Sequence, residues 1–342
     1  MQVTEDIVRS VVQDVLKHMG NGRLPKNGAS NGAASKGRHG IFTNVDEAVA
    51  AATAAQRVFE QRGLDDRKKA VHCIRKICIE QAEPLGREEM NETKIGRLDH
   101  KIEKLRGAGE RTPGVEFLRT EAFSGENGIA LNEYAPFGVI GAITPVTHSL
   151  PTLACNGISM LSAGNAVVFN PHPSGAKVAV HGTRLFNQAI EAAIGIDNLL
   201  TIIAEPTLES AQAIFDHRDV RLLCVTGGPA VGRAALRSPK RAIVAGPGNP
   251  PVVVDATADL DNAARSIIKG AAYDNNLLCI GEKEVFAVAE IFDELLAALA
   301  RHGGFRLDGP QIAKLTAAAF VNHEGKLVVN KDLIGADATV LA

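Results

Sequence analysis

The sequence predicts an α/β protein built on an open parallel β-sheet. Short apolar runs alternate with amphipathic helical stretches along most of the chain, which is typical of strands joined by helices. Several of these runs are apolar at almost every position, as expected for strands that are buried on both faces. A chain of 342 residues, 45% of them hydrophobic, can bury such a sheet, and its length favours about two domains.

The composition argues against several classes of function. The net charge is −2, without a long basic run, and only 4% of residues are aromatic, so we expect no nucleic-acid partner. The five cysteines form no CxxC pair, so we expect no metal site and a reduced, cytoplasmic protein. No apolar run approaches the length of a transmembrane helix, and the N-terminus does not resemble a secretory signal, so we expect no membrane partner.

The N-terminal residues 1–19 are predicted to form an amphipathic helix. Apolar residues recur at helical spacing at Val3, Ile7, Val8, Val11, Val12, Val15, Leu16 and Met19. Residues 20–40 (GNGRLPKNGASNGAASKGRHG) have no periodicity and predict a flexible linker. A lone helix of this length is marginal in water and needs a surface to pack on. It either folds back on the parent domain or docks elsewhere, and the pattern leaves both readings open.

The globular part is predicted to begin at Ile41, with Asn44 capping its first helix. Further helices are predicted over 65–90, as a pair, and over 91–104, 151–163, 176–194, 291–302 and 311–320, whereas 114–142 has the shorter period of a β-meander. Five apolar runs are predicted as strands of one sheet: 138–145, 165–173, 199–204, 221–226 and 251–255. Residues 338–342 also resemble a strand.

The loops after these strands are the predicted ligand site, because parallel α/β sheets bind ligands beyond the carboxyl ends of their strands. The candidate cofactor-binding residues are Thr144, Pro145, Asn170, His172, Pro173, Thr226, Gly227, Gly228, Gly232 and Gly246. The glycine loop 226–232 follows a strand and opens a helix, so it could cradle a phosphate or be a plain structural turn. The basic side chains behind it either face solvent or attract phosphates: Arg233, Arg237, Lys240 and Arg241.

Cys279 lies in the segment 274–285, which has the sequence DNNLLCIGEKEV. Free cysteines are usually packed in cores. Here, however, two asparagines precede the cysteine and Gly281 follows it, which favours a loop. A thiol on such a loop can meet a substrate and act as a nucleophile when it is ionised.

This segment resembles the catalytic-cysteine segment of CoA-acylating aldehyde dehydrogenases, above all the propionaldehyde dehydrogenases of bacterial microcompartments. Several separated motifs agree with that family in order. The resemblance implies an aldehyde dehydrogenase-type nucleotide-binding domain over 41–264, with an assembly hairpin near 115–140, and the start of a catalytic domain over 265–342. Family members continue past the equivalent of Ala342. We therefore expect an incomplete catalytic domain and a chain that is nearly inactive and prone to aggregate when expressed alone.

The resemblance also implies the chemistry and the cofactors, NAD and coenzyme A. Cys279 is the implied nucleophile, and His148 stands where the superfamily has an oxyanion-binding asparagine, with Asn156 nearby as the alternative. The loop 170–173 matches the strand end that lies against the cofactor's adenosine, and 226–232 matches the nucleotide-binding glycine turn. The stretch around Gly246 matches the part that carries a glutamate base in hydrolytic members, but it contains no glutamate.

A missing base favours acyl transfer to CoA, because a thiol ionises far more readily than water. The implied reaction is the NAD-dependent oxidation of a short, propionaldehyde-like aldehyde to acyl-CoA. A hydrolytic aldehyde dehydrogenase and a catalytically silent nucleotide-binding or docking chain are the alternatives. The resemblance further implies a homo-oligomer in the lumen of a microcompartment, with residues 1–19 as an encapsulation peptide for shell proteins.

Overall fold

The computed structural model describes residues 37–342, so the predicted helix over 1–19 and most of the predicted linker lie outside the described residues. The strands are β1 (Ile41–Phe42), β2 (Glu121–Gly125), β3 (Gly128–Asn132), β4 (Val139–Thr144), β5 (Ala166–Pro171), β6 (Leu200–Ile203), β7 (Val220–Thr226), β8 (Arg241–Ala245), β9 (Pro251–Val254), β10 (Glu284–Ala287), β11 (Phe320–His323) and β12 (Lys326–Val329). The helices are α1 (Val45–Glu60), α2 (Leu64–Glu80), α3 (Ala82–Thr93), α4 (Leu98–Arg111), α5 (Ser149–Ser162), α6 (Ala176–Ile194), α7 (Leu208–Asp216), α8 (Pro229–Arg237), α9 (Leu260–Ala271), α10 (Phe292–Arg301), α11 (Gly309–Ala319) and α12 (Ala338–Leu341).

The main sheet has six parallel strands in the order β1-β6-β5-β4-β7-β8, which confirms the predicted α/β fold class. The central strand β4 pairs with β5 on one side and with β7 on the other. The order of the strands reverses between β4 and β7, so the topological switch point lies there. The loops that leave Thr144 and Thr226 therefore flank the crevice in which such sheets bind ligands.

Helices cover both faces of this sheet. Every residue of β4, β5 and β6 is therefore buried. One layer contains α1 and α7, the other contains α5 and α6, and α2 packs on the outside of the second layer. Asn44 caps α1 as the sequence predicts, since its side-chain oxygen accepts a hydrogen bond from the Glu47 N–H at 3.1 Å. The core is therefore continuous around the strands that point toward the switch-point crevice.

The last strand of the sheet is not the predicted one. Residues 251–255 were expected to join the sheet, but β8 forms its edge, and β9 pairs in parallel with β10 in a separate two-stranded sheet. The residues of β8 alternate between exposed and half-buried, so this strand carries no continuous apolar signal. Its place is decided by pairing with β7, which no local pattern reveals.

A second, smaller apolar cluster joins β9, α9 and α10. Val254, Ile267, Ile291 and Leu295 are its buried members. The domain boundary was predicted after residue 264, but β9 and the first part of α9 already pack within this cluster. We therefore propose that the boundary lies near residue 250.

The first described residues are already anchored, so the predicted linker ends before residue 40. The His39 N–H donates to Asp197 at 3.0 Å, and the Gly40 N–H donates to Asn198 at 2.8 Å. The ligand-type atoms of His39, Glu191 and Asp197 lie within 4.8 Å of one another, close enough to hold a metal ion. We assign this group a structural role, because its hydrogen bonds tie β1 to the segment that precedes β6.

Two further local predictions are wrong. The helix predicted over 91–104 is broken, because α3 ends at Thr93 and α4 begins at Leu98, with Lys94 (φ 58°) and Gly96 (φ 81°) in the left-handed region between them. The strand expected at 338–342 is instead the short helix α12, whose first turn is capped by Asp337. Its few residues carry too little pattern to separate the two structures.

The antiparallel hairpin of β2 and β3 lies within the predicted range 115–140, and all of its strand residues are exposed. Its role in assembly stays a prediction. Among residues 37–342, no helix is long and apolar enough to cross a membrane.

Candidate active site

Cys279 lies in the loop between α9 and β10, and it is the exposed cysteine among the five. Three consecutive residues before it have left-handed backbones: Asp274 (φ 49°), Asn275 (φ 55°) and Asn276 (φ 58°). Asn and Asp tolerate this conformation better than other non-glycine residues, but a run of three needs outside support. The loop is therefore shaped by its contacts rather than by local preference.

The two asparagines supply part of that support. The Asn276 side-chain amide donates to the carbonyl oxygens of Ala271 at 2.6 Å and Glu282 at 3.2 Å, which closes the loop across its base. The Asn275 amide donates to the Gly335 carbonyl oxygen at 2.9 Å, so the C-terminal segment braces the same loop. These contacts explain why polar residues precede the cysteine.

Asp274 supplies the deepest anchor, because its side chain is completely buried. Its carboxylate accepts a hydrogen bond from the Arg97 N–H at 2.8 Å and one from the Lys104 ammonium at 2.5 Å. A side chain at Gly96 would collide with this carboxylate, so the break between α3 and α4 makes room for it. The helix break and the cysteine loop therefore form one structural unit.

A buried ionic cluster surrounds Asp274. Lys101 lies 3.3 Å from Glu89 and 4.0 Å from Asp274, and both lysine ammonium groups donate to the Thr147 carbonyl oxygen, at 3.4 Å from Lys101 and 3.1 Å from Lys104. Two cations thus face two carboxylates, as buried charges require. Burial raises the pKa of Glu89, and burial together with the Lys101 charge lowers the pKa of Lys104.

His148 follows Thr147 directly and precedes the first turn of α5. Its Nδ1 atom lies 3.2 Å from the Thr152 hydroxyl oxygen. Burial, with the positive charges of Lys104 and Lys101, lowers the pKa of His148 to about 3. The imidazole is therefore neutral at pH 7, and a neutral imidazole carries one N–H that can serve as a hydrogen-bond donor.

This neutrality makes a prediction about pH. An unfolded histidine has a pKa of about 6.5, so between that pH and about 3 the unfolded chain binds the proton more readily than the folded chain. The contribution of His148 to the free energy of unfolding is thus full above pH 6.5 and is lost as the pH falls toward 3. Urea unfolding at several pH values should show that the free energy of unfolding falls less steeply with decreasing pH in His148→Gln than in the unaltered chain. A His148 ring that titrates near 6.5 by NMR would contradict this.

The other four thiols are buried or half-buried, whereas Cys279 is exposed. Burial raises the pKa of the Cys73, Cys155 and Cys224 thiols, and it raises that of Cys78 to about 12. These thiols stay protonated at neutral pH and are poor nucleophiles. Cys279 is therefore the best-placed nucleophile of the five.

The loop 245–249 lies against the nucleophile. A Cβ atom at Gly248 would collide with the Cys279 carbonyl oxygen, so only glycine permits this approach. The loop contains Pro247 and Asn249 but no carboxylate. The stretch predicted to replace the glutamate-bearing segment thus contacts the cysteine and offers no general base.

The switch-point crevice has features that fit a dinucleotide. The Thr144 hydroxyl, at the carboxyl end of β4, is buried without a hydrogen-bond partner in the described structure. Gly228 precedes the first turn of α8, and a Cβ there would meet open space, so the backbone N–H groups of this helix start are accessible to a phosphate. On α5, the buried amide nitrogen of Asn156 also has no hydrogen-bond partner among the described residues.

Several predicted cofactor residues have structural tasks. The Asn170 side chain is buried, accepts from the Ser210 hydroxyl at 2.5 Å and donates to the Thr207 carbonyl oxygen at 3.4 Å. Gly232 packs against Val244, and His172 caps the short turn that begins at Pro173. Gly227 donates to the Ala245 carbonyl oxygen at 3.2 Å, which ties the glycine loop to β8.

The basic residues near the glycine loop divide into two pairs. Lys240 donates to the His217 carbonyl oxygen at 2.6 Å, and the Arg241 guanidinium lies over the Phe137 ring, 5.7 Å from its centroid. Arg233 and Arg237 are exposed on α8. Only the second pair is therefore available to an anionic ligand without a change in the described contacts.

Sequence comparison identifies the family to which this site belongs. A family model described as the aldehyde dehydrogenase family matches residues 28–322. The chain belongs to the aldehyde dehydrogenase family. The resemblance predicted from the sequence is thereby confirmed.

Two relatives of this chain are CoA-acylating aldehyde dehydrogenases of Salmonella typhimurium. The acetaldehyde dehydrogenase (acetylating) EutE of Salmonella typhimurium is 40% identical over 338 residues, which are 98% of this chain and 70% of the relative. A propanal dehydrogenase (CoA-propanoylating) of the same species is 40% identical over 296 residues, 86% of this chain and 63% of the relative. The chain thus spans about 70% of the length of the first of these relatives.

Solved structures show the same fold. A Rhodopseudomonas palustris propionaldehyde dehydrogenase with bound propionyl-CoA has a TM-score of 0.83 and 43% identity, over 92% of this chain and 70% of that chain. A propionaldehyde dehydrogenase from the Clostridium phytofermentans fucose utilisation bacterial microcompartment has a TM-score of 0.83 and 44% identity, over 88% and 69%. A second Rhodopseudomonas structure (TM-score 0.82, 43% identity, 89% of this chain and 69% of that chain) contains bound CoA and an acylated cysteine.

The residues that support the cysteine loop were not recognisable from the sequence motif. Asp274 is part of the segment 274–285, but its buried pairing with Lys104 was not foreseen, and neither was the burial of Lys101 in the helix predicted over 91–104. The spacing of Lys101 and Lys104 places both on one face of α4, which was the available signal. Glu89 and Gly96 gave no signal of their own.

Proposed function

We propose that this chain oxidises a short, propionaldehyde-like aldehyde to acyl-CoA, with NAD as the electron acceptor and Cys279 as the nucleophile. One observation carries the proposal: an exposed cysteine is braced on a shaped loop, against a neighbouring loop that contains no general base. Transfer of the acyl group to a thiol needs less base assistance than transfer to water. The activities of the relatives, CoA-propanoylating and acetylating, support this choice.

The residues of the chain account for the protein's part in each step. The Cys279 thiolate attacks the aldehyde carbon and forms a thiohemiacetal. The Cys279 backbone N–H and the neutral His148 N–H stabilise its oxyanion. When bound in the switch-point crevice near Thr144, Pro145, Gly227 and Gly228, NAD supplies the acceptor for the hydride. Cys279 then carries the acyl group as a thioester. The CoA thiol attacks the carbonyl carbon of this thioester, the Cys279 thiolate leaves, and acyl-CoA is released.

The decisive experiment follows NADH formation from propionaldehyde with and without CoA, and identifies the product by mass spectrometry. The proposal expects acyl-CoA and a strong dependence on CoA. A free carboxylic acid at equal rates in both conditions would indicate the hydrolytic alternative. No NADH in either condition, with NAD still bound, would indicate the silent alternative.

The location of the protein forms a separate part of this proposal. A structural neighbour comes from a bacterial microcompartment, and the apolar stripe of residues 1–19 would suit an encapsulation peptide that docks on shell proteins. The chain is then a cytoplasmic protein of the microcompartment lumen, and the exposed β2–β3 hairpin is a candidate assembly element. Oligomerisation would cover its apolar side chains.

Removal of residues 1–36 tests the docking role, because His39 and Gly40 already belong to the folded part and must be kept. We expect unchanged melting temperature and kinetics, with loss of capture by shell proteins. A matched control removes only residues 20–30 of the linker and should retain capture. A large drop in melting temperature in the first variant would instead support the reading in which the helix folds back.

A further inference from the structure

The cluster of Lys101 and Lys104 has a position that its structural role alone does not explain. Both ammonium groups lie on α4, between the two segments that carry the reacting groups. Through Asp274, Lys104 contacts the loop of Cys279 at 2.5 Å. Through the Thr147 carbonyl oxygen, both lysines contact the residue next to His148, at 3.1 and 3.4 Å. The nucleophile and the oxyanion donor thus share one buried anchor.

We propose, on the basis of the proposed function, that Lys101 and Lys104 are positioning residues that keep the Cys279 loop and the His148 segment in one fixed register. An oxyanion donor stabilises the thiohemiacetal only when its N–H meets the oxygen at hydrogen-bond distance. That distance depends on the relative placement of two segments far apart in the chain. The hydrogen bonds of Lys101 and Lys104 connect these two segments.

Lysine suits this task because its ammonium group has three donors and a full charge. Lys104 uses these for the Asp274 carboxylate and the Thr147 carbonyl oxygen together. Lys101 makes the corresponding pair of contacts with Glu89 and the same carbonyl oxygen. An apolar residue at 104 would keep the packing volume but would release the loop from the Thr147 segment.

The same cations bear on the protonation of His148. The charged groups around it are Lys101 and Lys104 on α4, with their partners Glu89 on α3 and Asp274 in the cysteine loop; the neighbouring group within α5 is the Thr152 hydroxyl. Both lysines lower the pKa of His148, in addition to burial. Removal of Lys104 should therefore raise that pKa, an effect that a purely mechanical brace would not have.

The test compares two reactions of Cys279 in the full chain. Propionyl-CoA should acylate the thiol, with CoA–SH released as the Cys279 S–acyl bond forms, and this reaction needs the oxyanion donor. Iodoacetamide alkylates the same thiol with loss of iodide and needs no such donor. Lys104→Met should slow acylation by about a hundredfold, the effect of a misplacement near 1 Å, and leave alkylation within about twofold. Arg106→Met, which removes an exposed cation from the same helix, should change neither reaction.

The outcomes distinguish a positioning role of the two lysines from a purely structural role. An unchanged acylation rate in Lys104→Met would overturn the proposal, as would equal losses in both reactions, which indicate a collapsed loop. If Lys104→Met fails to fold, Lys101→Met replaces it. That variant keeps the Lys104–Asp274 pair but removes one of the two donors to the Thr147 carbonyl oxygen, so acylation should slow by less than about a hundredfold while alkylation is unchanged. If the unaltered chain is not acylated at all, the proposed function fails. The NMR pKa of His148 then tests the coupling: a rise in Lys104→Met supports it, and an unchanged value overturns it.

Discussion

Replacement of Cys279 by alanine is expected to abolish the formation of NADH and acyl-CoA, with a loss of at least about a thousandfold. Without the sulfur, no thiohemiacetal forms, and none of the other thiols is exposed enough to replace it. Burial keeps the pKa of those thiols raised. The alanine also removes no buried contact, because Cys279 is exposed, so the fold and NAD binding should be retained.

Steady-state kinetics with propionaldehyde, CoA and NAD would measure this loss, and NAD binding would be followed by calorimetry. Cys224→Ala is the matched control, since Cys224 lies on β7, next to the switch-point crevice, but is partly buried. Its activity should stay within a few-fold of the unaltered chain. Turnover retained in Cys279→Ala would remove the nucleophile from the proposed mechanism.

Replacement of Asp274 by alanine is expected to lower the free energy of unfolding by about 3–5 kcal/mol, the usual cost of leaving a buried charge unpaired. Lys104 would lose its carboxylate partner, and the Arg97 N–H would lose its acceptor. Alanine also tolerates the left-handed backbone at this position, φ 49°, less well than aspartate does. The cysteine loop should therefore lose its shape, and activity should fall with stability.

Urea unfolding at pH 7 would measure this change. Asp99→Ala is the control, because Asp99 is an exposed residue of α4 that forms long ion pairs with Arg97 and with His100, each at 3.8 Å. Exposed pairs of this kind contribute about 0–1 kcal/mol. A loss below about 1 kcal/mol in Asp274→Ala would show that the cluster adapts, and it would also weaken the case for a shared anchor.

The elements with strong local patterns were predictable. Strands β4, β5 and β6 are apolar along most of their length, and α6 was predicted with the bounds that the structure shows, 176–194. The helix break at 94–97 was not predictable, because its left-handed backbone makes room for the Asp274 carboxylate. Asp274 is 177 residues away from Arg97 in the chain. A periodic pattern contains no information about such a partner.

The sequence by itself determined the α/β class, the family and the cysteine on which the proposed chemistry depends, because hydrophobic periodicity and a contiguous motif are local properties of the chain. Only the tertiary structure decided that β8 rather than β9 completes the sheet and that Gly248 contacts Cys279. It also decided that Lys101, Lys104 and Asp274 are buried together. In the sequence these three residues resemble solvated charges, since the free energy of a buried charge depends on partners that folding brings from distant parts of the chain.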